Sequence, residues 1–184
     1  MNRLMMAVTG MCISALALAG EAVDMQMDAD PAGEVSIDVV RGAVTVVGWD
    51  QAVVHVKGDR DDKSEEFIFE REGRLIRIAD ELKSRSSGGD ERGTHITVQV
   101  PRNSSVEMET VSANQDVREL NGMVRLDTVS GDVNAAGLGR NANLASVSGN
   151  ITLNGAAGEL RLESVSGDVK AEIDAERLQV ESVS

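Results

Sequence analysis

Acidic and amide side chains recur at one position of a repeated motif. A Val-Ser-Gly tripeptide is followed by Asp132, Asn150 and Asp168, at intervals of 18 residues. Carboxylate and amide oxygens are ligands that Ca²⁺ prefers, so stacked repeats could bring them together around an ion. The Gly-Asp-rich nonapeptides of calcium-binding β-rolls are missing, however, and the middle position is Asn. We therefore predict solvated turn residues here, with no metal and no cofactor.

A second column at the 18-residue period is partly acidic. In chain order it holds Asp127, Ala145, Glu163 and Glu181. Some β-helix proteins cleave polysaccharides with carboxylates on one face, usually with basic residues around them. Only Arg125 and Arg161 are close in sequence. A polysaccharide-active enzyme stays an alternative, but the favoured prediction is that the chain has no catalytic residues and is not an enzyme.

The remaining chemistry-bearing residues are isolated. His55 and His95 lie about forty residues apart among alternating aliphatics. The chain has no third histidine, and its only cysteine, Cys12, lies in the N-terminal segment that is predicted to be cleaved, so no zinc site can be completed. Ser148 and its equivalents have no paired base, which argues against nucleophilic catalysis. Trp49 is expected to fill a corner of the fold, although an exposed ring would indicate ligand contact. The residues that bind a ligand stay unknown at this point.

An internal repeat dominates the second half of the chain. Successive repeats align on Ser112, Ser130, Ser148, Ser166 and Ser184, each 18 residues after the last. Neighbouring columns keep the same period, such as Leu126, Leu144, Leu162 and Val180. A fixed period with several columns in register predicts a solenoid, in which each repeat buries its apolar side against the next.

The pattern within one repeat predicts β-strands. Apolar residues occupy every second position in residues 160–164 and again in 165–173. The phase shifts between Ser164 and Val165 and again near residues 174–176, which predicts two strands and two corners. The fold class is therefore all-β: a single-domain parallel β-helix or β-solenoid, right-handed, with 18-residue coils and an N-terminal β cap. Gly131, Gly149 and Gly167 occupy inward positions beside a bend, where glycine allows the backbone to turn and the neighbouring walls to approach each other.

The first half of the chain is predicted to cap this solenoid. Residues 34–57 are interpreted as three short strands, and "EEFIFEREGRLIRIA" as a hairpin that turns at Glu72-Gly73. Residues 80–93 are expected to form an exposed loop, and Ala113–Gln115 an insertion in the first coil. The predicted organisation is a signal peptide at 1–19, a short segment at 20–34, and one domain at 35–184, with the cap at 35–104 and regular repeats at 105–184.

The N-terminus has the features of an export signal. Arg3 precedes an apolar run that ends in Ala17-Leu18-Ala19, typical of a signal-peptidase site. An uncleaved anchor is the alternative; Met11 before Cys12 argues against a lipoprotein. Cleavage would remove the only cysteine and leave no further membrane span.

The chain has 31 acidic and 18 basic residues and a formal net charge of −13, which disfavours nucleic acid and anionic lipid as partners.

Two features resemble a known family. "GAVTVVGWD" at residues 42–50 and the "SVSGDV" copies after "ITVQVP" resemble the bacterial putative-adhesin family of exported β-repeat domains. The resemblance covers the chain from about Val35 onward. It implies surface adhesion, and for some members a link to envelope-stress regulation. It supplies no catalytic residues.

Three functions follow as hypotheses. The first is a non-enzymatic, exported interaction or scaffold module, adhesin-like, in the periplasm or at the cell surface, which presents an acidic wall to an envelope protein or glycan. The second is an envelope-stress sensor that binds a regulatory membrane protein; the third is the polysaccharide-active enzyme. Ser184 ends the chain within a repeat, so we expect either a truncated chain or end-to-end self-association through an open strand edge.

Overall fold

The computed structural model describes residues 21–83, 92–173 and 177–183. This part of the chain forms fourteen β-strands that belong to one sheet. The strands are β1 Ala22–Asp28, β2 Glu34–Trp49, β3 Val53–Asp59, β4 Ser64–Glu72, β5 Leu75–Leu82, β6 Thr94–Pro101, β7 Ser105–Arg118, β8 Val124–Thr128, β9 Val133–Leu138, β10 Ala142–Ser146, β11 Ile151–Ala156, β12 Glu159–Ser164, β13 Val169–Glu172 and β14 Arg177–Ser182. These residues include no helix long and apolar enough to cross a membrane. The predicted signal peptide, Cys12 and Ser184 lie outside the described residues.

The sheet bends into two walls. The first wall has the order β4-β5-β2-β7-β8-β10-β12-β14, and the second β1-β3-β6-β2-β7-β9-β11-β13. The long strands β2 and β7 belong to both walls because each continues through a bend, at Arg41-Gly42 and Ser112-Ala113. Gly42 has φ +120°, a conformation that favours glycine. We call this bend the first corner; the Val-Ser-Gly motifs form it in the later coils.

The pairing register between strands in the later coils follows the 18-residue sequence repeat. Paired residues in neighbouring parallel strands are 18 positions apart, as for Leu126 with Leu144 and Leu144 with Leu162. All three leucines are fully buried, which confirms the aliphatic column that the sequence predicts. Val133, Ile151 and Val169 form the matching column of the second wall. The two walls pack these columns against each other in one core that extends into the N-terminal strands.

Antiparallel strands cover the N-terminal end. The hairpin of β4 and β5 extends the first wall and turns at Gly73, whose φ of +63° suits the tight turn. This confirms the predicted hairpin. On the second wall, β3 pairs antiparallel with β6, and β1 with β3. The segment at 20–34, for which the sequence predicts no strand, therefore contributes β1 to the sheet.

Three local predictions are wrong. Residues 34–49 form one continuous strand, since Gly42 lets the chain bend without interrupting the pairing. The loop predicted from Asp80 does not begin there, because β5 continues to Leu82 and Asp80 is buried; residues 84–91 lie outside the described part. Ala113–Gln115 is no insertion, because Gln115 pairs with Val133 at the same 18-residue interval as its neighbours.

The corner geometry corrects one more assignment. The alternating pattern places Val165 inward, but Val165 is 49 % exposed and Ser164 takes the inward position. Two consecutive outward residues, Val165 and Ser166, make the bend, and the inward phase resumes at Gly167. Period-two alternation locates a phase shift only to within a residue or two, and here it misses the outward valine.

Candidate functional site

A groove lies along the outer face of the first wall, beside the first corner. Its volume is about 980 Å³, and its lining extends from Asp80 in β5 to Glu181 in β14. Because the coils stack along this direction, every coil contributes equivalent residues to it. Two columns of outward side chains, one acidic and one apolar, define its character.

The acidic column stacks in direct register. Asp38 pairs with Glu109, and the column continues through Asp127, Ala145, Glu163 and Glu181. Neighbouring positions are about 4.8 Å apart, the interstrand spacing. The structure thus brings together the acidic residues that the sequence singled out and adds Asp38 and Glu109 to them.

Two arginines lie beside this column and neutralise part of it. Arg125 Nε is 2.8 Å from Asp127 Oδ2, and hydrogen bonding to that carboxylate raises the pKa of Arg125. Arg161 hydrogen-bonds to Glu163 and lies 3.6 Å from Glu181; the bond to Glu163 raises the pKa of Arg161. Across the whole groove, the lining contains seven acidic side chains but only two arginines, Arg77 and Arg125. The groove is therefore anionic.

The apolar column consists of exposed valines at the first corner. They are 39–66 % exposed, and they are Val40, Val111, Val129, Val147, Val165 and Val183. All six line the groove. We call them the valine ladder. Sequence reasoning missed it, although the valines from Val111 to Val183 recur every 18 residues, because alternation assigned the valine of the motif to the core.

Buried hydroxyl groups support the valine ladder from inside. One residue before each of the four valines from Val111 to Val165 lies a buried Thr or Ser: Thr110, Thr128, Ser146 and Ser164. The backbone N–H of Gly131 donates to Thr128 Oγ1 at 3.2 Å, and Gly149 N–H donates to Ser146 Oγ at 2.8 Å. These bonds satisfy buried backbone groups at the bend. They fix the corner and hold the neighbouring valine outward.

A buried ionic cluster closes the N-terminal end of the groove. Arg41 makes a bidentate pair with Asp61, at 2.5 Å and 2.8 Å, and this bond raises the pKa of Arg41. Thr94 Oγ1 donates to Asp80, which lines the groove. Asp61 N–H donates to Thr94 Oγ1 at 3.2 Å. The cluster ties β2, β5 and β6 to the turn after β3.

The recurring Asp and Asn residues form a hydrogen-bonded ladder on the second wall. Asp132 Oδ1 accepts from Asn150 N–H at 2.9 Å, and Asn150 Oδ1 from Asp168 N–H at 3.1 Å. Asn114 Oδ1 makes the same bond to Asp132 N–H at 3.0 Å. Each side chain therefore joins one coil to the next. Among the described residues no group of three or more His, Cys, Asp or Glu could hold a metal ion.

The histidines and Trp49 lie away from the groove. His55 Nε2 is 2.7 Å from Asp24 Oδ1, a contact that lowers the pKa of Asp24. His95 Nδ1 is 2.7 Å from the carbonyl of Gly93. Trp49 is half-buried; its Nε1–H donates to the Val53 carbonyl at 2.8 Å and its ring stacks on His55. These contacts join β1, β3 and the turn after β2.

Comparison with known protein families assigns the chain to one of them. The model of the family described as Toastrack DUF4097 matches residues 32–184. The chain belongs to this family, which confirms the resemblance seen in the sequence. No curated protein matches the chain.

Solved structures of low sequence identity also align with it. One is a "putative cell adhesion protein" from Clostridium sporogenes, with 8 % identity, a TM-score of 0.48, and coverage of 88 % of this chain and 100 % of the other. Another is a "putative adhesin" from Parabacteroides merdae, with 12 % identity, a TM-score of 0.33, and coverage of 90 % and 97 %. At these values the similarities carry no argument about function.

Proposed function

We propose that this chain is a non-enzymatic interaction module of the bacterial cell envelope, which holds a partner protein or glycan in the groove. The observation that carries the proposal is the valine ladder, exposed in register beside the acidic column over six successive coils. Aligned exposed apolar side chains rimmed by charge are typical of interaction surfaces. In the acidic column, Arg125 forms an ion pair with Asp127 and Arg161 with Glu163. This arrangement is that of a surface ion-pair network and not of a catalytic centre.

The coil architecture supports a scaffold role. We propose that the coils contain 18 residues and wind in the right-handed sense that parallel crossovers favour. Each coil is hydrogen-bonded to its neighbours in both walls, so the groove is formed by the sheet itself and needs no mobile loop. The partner would meet a surface that is already in its binding conformation, which reduces the entropic cost of binding.

Export is part of the proposal and rests on the N-terminal sequence. Arg3, the apolar run and Ala17-Leu18-Ala19 fit a cleavable signal. The acidic balance of the chain fits a dispersed protein that does not bind nucleic acid. Mass spectrometry of the N-terminus of protein recovered from the envelope would test cleavage after residue 19.

Site-specific photo-crosslinking tests the interaction itself. A photoreactive phenylalanine analogue replaces Val147 in the groove and, as a matched control, Asn134 on the outer face of the second wall, which is also exposed. We expect crosslinked envelope products from position 147 and none from 134. A membrane regulator among the products would identify a sensor, and a glycan or another surface protein an adhesin. Equal crosslinking at both positions, or none, would contradict the proposal.

Self-association through β14 is a second proposal. Among the described residues β14 pairs only with β12, and its Leu178 and Val180 are each 45 % exposed although they continue the inward columns of the coils before them. Open strand edges favour pairing with another chain. Light scattering over a concentration series should show growing oligomers, and Leu178→Lys with Val180→Lys should abolish them. A strict monomer at high concentration would refute this.

A further inference from the structure

We propose that the groove binds a basic amphipathic α-helix laid parallel to the solenoid axis. The inference rests on the proposed interaction function and specifies the kind of partner. One side of the helix would present Lys or Arg to the acidic column, and the adjacent side would present aliphatic residues to the valine ladder.

Charge complementarity selects a basic occupant. Asp38 and Glu109 make no direct ion pair within the described residues, although Arg77 lines the same groove and Arg125 lies within electrostatic range of Glu109. The N-terminal half of the column is therefore only partly neutralised. Further along, Arg125 and Arg161 balance only part of the charge. A cationic partner would therefore gain favourable contacts along the whole groove, whereas an anionic one would be repelled.

The valine ladder requires an apolar stripe on the same partner. A single exposed valine is ordinary on a protein surface. Here six stand in one line beside the charges. A purely cationic ligand would leave them in water, but an amphipathic partner would bury them, and the burial of apolar surface favours association.

The pairing of the groove strands favours a helix over an added strand. β8 is hydrogen-bonded to β7 and β10, and β10 to β8 and β12. The groove floor therefore offers no free strand edge for main-chain pairing. A helix satisfies its own backbone hydrogen bonds and can meet the groove with side chains alone, as helices do in apolar grooves.

The dimensions of a helix also match. The ladder advances by about 4.8 Å per coil, and a helix presents one side with a pitch of about 5.4 Å. From Val40 to Val183 there are five intervals, or about 24 Å. A helix of about 16 residues spans that length. The spacing of the valine ladder and the pitch of the helix therefore fall out of register by only a few ångströms over the whole groove. Flexible Lys and Arg side chains can accommodate this offset.

Other occupants fit less well. A second copy of this chain carries a net charge of −13 and would oppose acid to acid in this groove. Nucleic acid and anionic lipid are excluded for the same reason. A sugar ligand would lack stacking rings, because no Phe, Tyr or Trp is among the residues that line the groove.

The direct test uses a designed peptide and the whole mature chain. The probe is an amphipathic Lys/Leu peptide of about 18 residues, with a scrambled peptide of identical composition as its control. We expect micromolar binding by isothermal titration calorimetry, a gain of helical circular dichroism on binding, and weakening with added salt. The scrambled peptide should bind about tenfold more weakly or not at all.

Variants separate the apolar and the electrostatic contributions. Val129→Ser with Val147→Ser and Val165→Ser should weaken binding about tenfold, whereas Met123→Ser, at an exposed residue outside the groove, should not. Asp38→Lys with Glu109→Lys should also weaken it about tenfold, while Glu72→Lys at the hairpin turn should have little effect. Unfolding curves for each variant confirm that the fold is intact.

Several outcomes would overturn the inference. They are no binding at about 100 µM peptide, equal binding of the scrambled peptide, or binding that survives loss of the valines. If the groove nevertheless crosslinks to an envelope partner through position 147, the proposed function stands and only the helical partner is wrong. If position 147 also fails to crosslink, both proposals fall.

Discussion

The backbone N–H of Gly149 donates a hydrogen bond of 2.8 Å to the hydroxyl oxygen of Ser146, three residues earlier in the chain. Ser146 is buried, whereas Ser148 is exposed at the bend. Two serines of one motif therefore have different roles. Replacing Ser146 by Ala should lower the free energy of unfolding by about 1–3 kcal/mol, because a buried N–H loses its acceptor. Urea unfolding measures this; Ser148→Ala, the control, should stay within about 0.5 kcal/mol. Equal losses would contradict the assignment.

Gly149 is also required for close approach of two coils. A Cβ at this position would lie 1.8 Å from the carbonyl oxygen of Gly131. Gly149→Ala should therefore lower the free energy of unfolding by about 3 kcal/mol, in the upper range for overpacked sites. Gly155→Asn is the control, because Gly155 has space around it and Glu119, one of its equivalents, already adopts φ 57°. That variant should lose less than about 1 kcal/mol; a larger loss there than at Gly149 would refute the explanation.

The side chain of Asp132 should act as a link between coils. Asp132→Ala removes the acceptor for Asn150 N–H and is expected to lower the free energy of unfolding by about 1 kcal/mol. Asp132→Asn keeps an acceptor oxygen and should be nearly neutral. Because these oxygens already accept backbone N–H groups, EDTA or Ca²⁺ should leave the melting temperature unchanged. Stabilisation by Ca²⁺ that Asp132→Ala abolishes would show that the ladder is a metal site.

The contact between Asp24 and His55 should make the environment of β1 depend on pH. Hydrogen bonding to His55 lowers the pKa of Asp24 below its ordinary value of 3.8. A depressed carboxyl pKa contributes stability above the unfolded value, and that stability is lost as the pH falls through the folded pKa. NMR titration should show the pKa of Asp24 returning toward 3.8 in His55→Phe. Asp30, whose pKa is lowered mainly by the Ala32 N–H, is the control and should not change.

The acidic column should have no hydrolytic activity. Incubation of the mature chain with acidic and neutral polysaccharides is expected to yield no new reducing or unsaturated ends. Glu163 hydrogen-bonds to Arg161, which also lies near Glu181, so these groups are explained by a surface ion-pair network. Cleavage that Glu163→Gln abolishes and Glu72→Gln preserves would identify an enzyme.

Sequence periodicity was a good guide wherever one residue type repeats at one structural position. The interval of 18 predicted that Leu126, Leu144 and Leu162 would stack, because a parallel strand register moves every side chain of a coil together. The hairpin at Gly73 was predictable because a tight turn leaves a local signal. The same reasoning failed at Val165, since a bend shifts the phase over two residues and alternation cannot tell which of them faces outward.

The composition, the repeat and the turn residues of this chain were enough to predict an all-β fold with an aliphatic interior, because strand alternation and coil stacking are local or strictly periodic. The tertiary structure alone decided that Asp38, from the cap, joins the acidic column of the later coils, and that Arg41, Asp61 and Asp80 meet in one buried cluster. Those residues come from the N-terminal part of the chain, which lacks the 18-residue period. Their positions depend on how the cap packs onto the first coil, and no repeating sequence pattern encodes that packing.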